Sequence, residues 1–85
     1  MLNLARFMIT EADIIAVIKS VAPDKKLEPA VDDSLFDSGL LDSFALPDLV
    51  TALERKFGVK IPDSDLVPRK FDTVSRIQTY LESRL

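Results

Sequence analysis

The sequence contains no histidine, no cysteine and no tryptophan. Without histidine and cysteine the chain lacks the usual zinc ligands, the commonest general base and the usual activated nucleophile. Without cysteine it also has no disulfide to hold its fold together. The composition therefore argues against a zinc site, a disulfide scaffold and a serine that hydrolyses substrates by itself.

Long apolar runs and an excess of positive charge are also missing. No run approaches the roughly 20 apolar residues that cross a bilayer, so we expect no membrane insertion and take the cytoplasm as the compartment. The formal net charge is −3, from 11 basic and 14 acidic residues. This charge argues against a nucleic-acid partner, including the helix-turn-helix type of DNA binding, and suits partners with a basic surface.

The length of 85 residues, with 47% hydrophobic and 29% charged, describes a single globular domain. Residues 1–9 are apolar but are interrupted by Asn3 and Arg6, and no small-residue cleavage site follows them. We interpret residues 1–9 as an N-terminal extension and residues 10–85 as the domain. The sequence "DSDLVPRKFD" lacks the glycine and the final glutamate of a calcium-binding EF-hand loop, so no metal is expected.

Helical periodicity predicts two long helices in the first two thirds of the chain. The first begins after the cap Thr10, continues through Val21 and is ended by Pro23. The second runs from about Ser43 to Phe57, with Gly58 just past its end. Its apolar stripe follows helical spacing, lies on one face and comprises Leu46, Leu49, Val50, Leu53 and Phe57.

The last third predicts a short third helix and a longer fourth one. The third runs from Asp63 to Val67 and is stopped by Pro68. Asp72 or Thr73 caps the fourth, whose apolar stripe is Val74, Ile77, Leu81 and Leu85. Residues 22–42 form a long loop, in which four residues are expected to pack inward, namely Leu35, Phe36, Leu40 and Leu41. The fold class is all-α, a small four-helix bundle.

Ser43 stands where the second helix begins, and two interpretations of it stay open. A serine at a helix start is most often a cap, its oxygen accepting a free backbone N–H. Helix N-termini also favour anions, so a phosphate ester on this hydroxyl would lie in a favourable field. The two interpretations are compatible.

Three segments carry a resemblance to a known family: "GLLDSF" before an amphipathic helix, "FGVKIPD" after it, and "FDTVSRIQTYL". Together with the order and spacing of the helices, they resemble an acyl carrier protein over about residues 10–85. The glycine lies four residues before the serine, in Gly39-Leu40-Leu41-Asp42-Ser43. That spacing is closer to D-alanyl carrier proteins and other freestanding carriers served by AMP-forming ligases than to fatty-acid synthase carriers.

The resemblance implies a function and a cofactor. In that family the serine of such a motif, here Ser43, carries 4′-phosphopantetheine as a phosphodiester, and the thiol at the end of this arm holds an acyl or aminoacyl group as a thioester. The implied role is delivery of this group to partner enzymes in fatty acid, polyketide or related secondary biosynthesis, without catalysis by the carrier. The implied partners are a phosphopantetheinyl transferase and AMP-forming ligases, synthases or acyltransferases, visited by a monomer.

Residues around Ser43 are predicted to contact these partners. They are Asp42, Phe44, Pro47, Asp48, Thr51 and Glu54. Phe44 is either an exposed anchor for partners or packed against Leu66 or Val67. Six acids either form a patch around the site or are, for the most part, ordinary solvated surface charges. They are Asp37, Asp42, Asp48, Glu54, Asp63 and Asp65. The alternative function is a helical protein–protein interaction module without a prosthetic group.

Overall fold

The structure is a computed structural model, and it describes residues 9–22, 26 and 28–84. Three α-helices occur there: α1 (Glu11–Val21), α2 (Leu46–Phe57) and α3 (Val74–Arg84). Short 3₁₀ helices span Ser43–Ala45, Asp63–Asp65 and Pro68–Phe71. This described part contains no strand, which confirms the all-α prediction. The predicted roles of Pro23 and Leu85, and most of the predicted extension, lie outside the described residues.

The ends of the helices follow from local hydrogen bonds. Thr10 Oγ1 accepts from the Asp13 backbone N–H at 3.1 Å and begins α1 as predicted. Gly58 ends α2 with a φ of 67°, a left-handed conformation that glycine adopts without steric cost, and its N–H donates to the Glu54 carbonyl at 2.9 Å. At the start of α3, Thr73 Oγ1 accepts from the Arg76 N–H at 3.0 Å. The cap of α3 is therefore Thr73.

The core lies where α1 packs against both α2 and α3. The fully buried side chains come from the three helices, the long loop and the 3₁₀ helix before α3: Ile14, Ile18, Leu35, Leu41, Leu49, Leu53, Phe71, Val74, Ile77 and Leu81. The long loop supplies Leu35, Leu40 and Leu41 to this core, as the sequence predicts, while Phe36 is half-buried at its edge. Ile9 is buried as well, and its carbonyl accepts from Gln78 Nε2 at 3.2 Å.

The predicted third helix is wrong in its extent. The 3₁₀ helix ends at Asp65, and Pro68 begins another 3₁₀ helix that continues to Phe71. Proline suits the first position of a helix because its φ is already helical and no N–H is needed there. Val67, which precedes it, is extended with φ −124° and ψ 138°, as the proline ring requires. Pro68 therefore separates two short helices.

None of the helices in the described ranges is long and apolar enough to span a membrane, the longest being α2 with 12 residues.

Asp65 joins the two 3₁₀ helices after α2 to α3. Its carboxylate accepts from Lys70 Nζ at 2.6 Å and from the Tyr80 hydroxyl at 2.6 Å. The hydrogen bond from Lys70, followed by that from Tyr80, lowers the pKa of Asp65 from its ordinary value of 3.8. Burial, with the hydrogen bond to Asp65, raises the pKa of Tyr80 to about 12. The Tyr80 ring also meets the buried ring of Phe71 edge-on, at 5.1 Å between centroids.

The Asp65 carboxylate makes the stability of the fold depend on pH in the acid range. Since its folded pKa is lowered, its contribution is fully present above its ordinary pKa of 3.8 and is lost as the pH falls through the folded value. We expect Asp65→Asn to be less stable than the wild type at neutral pH, and this difference to shrink below about pH 4. Urea unfolding at several pH values measures it. The matched control is Asp63→Asn, at an exposed acid two residues earlier, and an equal loss in both variants would contradict the prediction.

Candidate functional site

Ser43 is the first residue of the 3₁₀ helix that leads into α2, and its side chain is exposed. Its hydroxyl does not cap the helix, so that interpretation of the sequence is wrong. Asp42 takes this position instead: Asp42 Oδ1 accepts from the Ala45 backbone N–H at 3.0 Å. In the part of the chain that the structure describes, no hydrogen bond occupies the Ser43 hydroxyl. The hydroxyl is therefore free to be modified.

The 3₁₀ geometry at Ser43 has a cause in the sequence. In an α-helix the carbonyl of Ser43 would accept from the N–H of residue 47, but Pro47 has none. The carbonyl accepts from the Leu46 N–H instead, one residue earlier. The α-helix consequently starts at Leu46 rather than at about Ser43. Ser43 thus lies one turn outside α2, on a tighter helix that exposes its side chain.

A compact turn at residues 34–41 precedes Ser43. The residue that holds this turn, Asp72, is far away in the sequence. The Asp72 carbonyl accepts from the Leu35 N–H at 2.6 Å. Asp72 Oδ1 accepts from Ser34 Oγ at 2.8 Å and from the Phe36 N–H at 3.3 Å. The turn closes at Gly39, whose φ of 83° favours glycine. Sequence reasoning missed this use of Asp72, which it had proposed only as a cap, because Ser34 lies 38 residues earlier.

Phe44, next to Ser43, is 88% exposed. Its predicted alternative, burial against the short helix after α2, is therefore wrong. Three further residues predicted to meet partners are also exposed on the outer side of α2, namely Pro47, Asp48 and Thr51. Together with Phe44 they form what we call the docking face.

The six acids of the predicted patch differ in what their side chains do. Asp42 caps the Ser43 helix, and Asp65 binds Lys70 and Tyr80. Glu54 is half-buried and its Oε2 accepts from the Ile61 N–H at 2.9 Å, which ties α2 to the segment after it. The other three acids, Asp37, Asp48 and Asp63, are exposed. Half of the patch thus has a structural role that spacing along the chain did not indicate.

Comparison with known proteins agrees with this geometry. The family described as "Phosphopantetheine attachment site" matches residues 12–81, which include every α-helix of the described chain except the ends of α1 and α3. The chain belongs to the acyl carrier protein family. The resemblance noted in the sequence is confirmed, and the carrier has a role in biosynthesis that depends on 4′-phosphopantetheine.

Relatives of this carrier include an acyl carrier protein, a D-alanyl carrier protein and a lincomycin biosynthesis protein. The acyl carrier protein of Thermotoga maritima is 36% identical over 85 residues, covering 92% of this chain and 99% of the relative. The D-alanyl carrier protein of Lactobacillus acidophilus is 28% identical over 76 residues, covering 89% and 95%. The lincomycin biosynthesis protein LmbN of Streptomyces lincolnensis is 38% identical over 71 residues, but the match spans 82% of this chain and 26% of that longer protein.

The residues around Ser43 fit a covalently attached 4′-phosphopantetheine. The attachment needs an accessible hydroxyl that is not already bonded, and Ser43 provides one. When bound, the group supplies a thiol, which this cysteine-free chain does not itself contain.

Proposed function

We propose that 4′-phosphopantetheine is attached through its phosphate to Ser43 Oγ, and that the chain delivers an acyl or aminoacyl group held there as a thioester to partner enzymes. The observation that carries the assignment is the exposed Ser43 hydroxyl, which makes no hydrogen bond within the described ranges. Four other serines use their hydroxyls as donors to nearby oxygens, namely Ser20, Ser34, Ser38 and Ser83. Tethering raises the effective concentration of the carried group at each partner.

Mass spectrometry tests this assignment. The purified chain is incubated with coenzyme A and a phosphopantetheinyl transferase. We expect the Ser43 hydroxyl to lose its proton and displace adenosine 3′,5′-bisphosphate from the pyrophosphate of coenzyme A, so that the mass of the chain rises by one phosphopantetheinyl group. Fragmentation of a proteolytic digest should place the added mass on the peptide that contains Ser43. An adduct on the peptide with exposed Ser64, or no adduct at all, would contradict the proposal.

We propose that the docking face is where partners bind while they act on Ser43. Its support is exposure: Phe44, Pro47, Asp48 and Thr51 continue from the serine along the outer side of α2. An exposed aromatic side chain beside a reaction site is a typical interface anchor. The partners proposed are the phosphopantetheinyl transferase and AMP-forming acyl ligases, synthases or acyltransferases. Asp42 caps a helix but is exposed and borders the docking face. Glu54 lies on α2 beyond Thr51, and its carboxylate is held by the Ile61 N–H.

Phe44→Ala is expected to weaken docking without weakening the fold. Removing an interface anchor costs about tenfold or more in binding, so the KM of the transferase for the carrier should rise by about that factor. The measurement is the initial rate of phosphopantetheine transfer as a function of carrier concentration. The control is Glu82→Ala, which removes an exposed side chain from α3, outside the docking face, and should leave the KM within about twofold. Equal KM values for Phe44→Ala and the wild type would contradict the proposed docking face.

We propose further that the chain catalyses no reaction by itself, as the carrier family is not catalytic. That the chain acts in the cytoplasm as a monomer stays a prediction from the sequence. The division into an extension (1–9) and a carrier domain (10–85) also stays a prediction.

A further inference from the structure

Asp72 lies in the connection between Phe71 and α3. Every hydrogen bond that it makes to the long loop goes to the turn before Ser43. Its side-chain oxygen accepts from Ser34 Oγ and the Phe36 N–H, and its carbonyl accepts from the Leu35 N–H. Ser34 Oγ in turn accepts from the Asp37 N–H at 3.0 Å. These bonds link the connection before α3 to three consecutive residues of the long loop.

The hydrogen bonds continue from this turn to the serine. The Leu35 carbonyl accepts from the Leu41 N–H at 2.9 Å, which brings the end of the turn back to its start. Asp42 follows directly and caps the 3₁₀ helix that begins with Ser43. Two backbone hydrogen bonds, from the Leu35 N–H to the Asp72 carbonyl and from the Leu41 N–H to the Leu35 carbonyl, thus lead from Asp72 to the residue before Asp42. The Asp72 carboxylate holds the residues on either side of Leu35, which are Ser34 and Phe36.

The apolar side chains of the turn do not by themselves fix its orientation. Leu35, Leu40 and Leu41 are buried and hold the turn against the core. Hydrophobic burial is not directional, however, whereas hydrogen bonds weaken steeply when their angles change. Bonds to an ionised carboxylate are also the stronger kind. The directional contacts between this turn and the rest of the fold include those of Asp72.

We propose that Asp72 is a positioning residue for the modification of Ser43: its carboxylate, bonded to Ser34 and Phe36, holds the turn that presents the serine to the transferase. This inference rests on the proposed function of Ser43. If the presenting conformation is populated only in part, the apparent affinity of the transferase for the carrier falls by the same fraction. A positioning role therefore raises the KM for the carrier and leaves kcat nearly unchanged.

The test is the rate of phosphopantetheine transfer from coenzyme A as a function of carrier concentration, at a temperature where circular dichroism shows each variant folded. For Asp72→Ala we expect the KM to rise about fivefold or more, with kcat within about twofold of the wild type. Asp72→Asn keeps an accepting oxygen in the same place and should restore most of the affinity. Ser34→Ala removes the hydroxyl that donates to the Asp72 carboxylate and should also raise the KM. It provides a second variant if Asp72→Ala does not fold.

Two controls separate positioning from charge and from stability. Asp32→Ala removes an exposed acid from the same loop, and Thr73→Ala removes the cap of α3 at the neighbouring residue. Both should show the wild-type KM. The inference is overturned if Asp72→Ala and Ser34→Ala keep the wild-type KM, or if Thr73→Ala raises the KM as much as Asp72→Ala does. Failure of the wild type to accept phosphopantetheine would overturn the proposed function itself, and this result is distinguishable from the others.

Discussion

Ser43→Ala is expected to abolish the attachment of phosphopantetheine completely and to leave the fold as stable as the wild type. The substitution removes the oxygen that would form the phosphodiester. It removes no cap, because Asp42 bonds the Ala45 N–H, and no internal hydrogen bond of the described chain. The side chain is exposed, so the free energy of unfolding should change by no more than about 0.5 kcal/mol. Loss of function without loss of stability is the result that identifies an attachment site.

Intact-mass spectrometry and urea unfolding of the same preparation check both halves of this expectation. Ser64→Ala is the matched control, since Ser64 is also an exposed serine within a short 3₁₀ helix, and it should be modified as fully as the wild type. A modified Ser43→Ala protein would show that another residue carries the group. If neither the wild type nor the variant is modified and both bind partners equally, the chain acts as an interaction module without a prosthetic group.

Phe71→Ala is expected to remove most of the free energy of unfolding. Phe71 is fully buried at the end of a 3₁₀ helix and packs edge-on against Tyr80. Truncation of a buried phenylalanine to alanine costs about 3–5 kcal/mol, from lost burial and from the cavity left behind. A domain of this size is stable by about 5 kcal/mol, so the variant should keep only about 0–2 kcal/mol and unfold at a much lower urea concentration than the wild type.

The chain provides its own matched control for this truncation. Phe44→Ala removes the same atoms from a side chain that is 88% exposed, and its free energy of unfolding should stay within about 0.5 kcal/mol of the wild type. Urea unfolding followed by circular dichroism measures both variants. A midpoint for Phe71→Ala close to that of Phe44→Ala would contradict the assignment of Phe71 to the core. The two phenylalanines thus separate stability from docking.

The main helices could be predicted from the sequence because their signals are local. Hydrophobic residues three and four apart lie on one helix face whatever the rest of the chain does, so α2 and its buried Leu46, Leu49, Val50 and Leu53 followed from spacing alone. Thr10 begins α1 and Gly58 ends α2, each through a hydrogen bond to a residue three or four positions away. Ser43 could be proposed as the attachment site because its contiguous motif resembles that of the carrier family.

Where neighbouring residues can fill one role, the sequence did not settle which of them holds it. The sequence favours Ser43 as the cap of its helix, but Asp42 can cap as well and holds this position in the structure. Asp72 and Thr73 compete in the same way, and Thr73 holds that cap. The chemical preferences of these residue types for a cap are nearly equal. Small differences in backbone conformation therefore decide between them.

The sequence by itself thus determined the helical class, the faces of the helices and the region of the serine. Only the tertiary structure decided that Phe44 is exposed, that Asp65 and Tyr80 meet across 15 residues, and that Asp72 reaches Ser34 across 38. Such contacts have no spacing that repeats along the chain, because they depend on how whole helices and loops pack. Local patterns specify which face of a helix is apolar, whereas packing specifies which distant polar groups come within hydrogen-bonding distance.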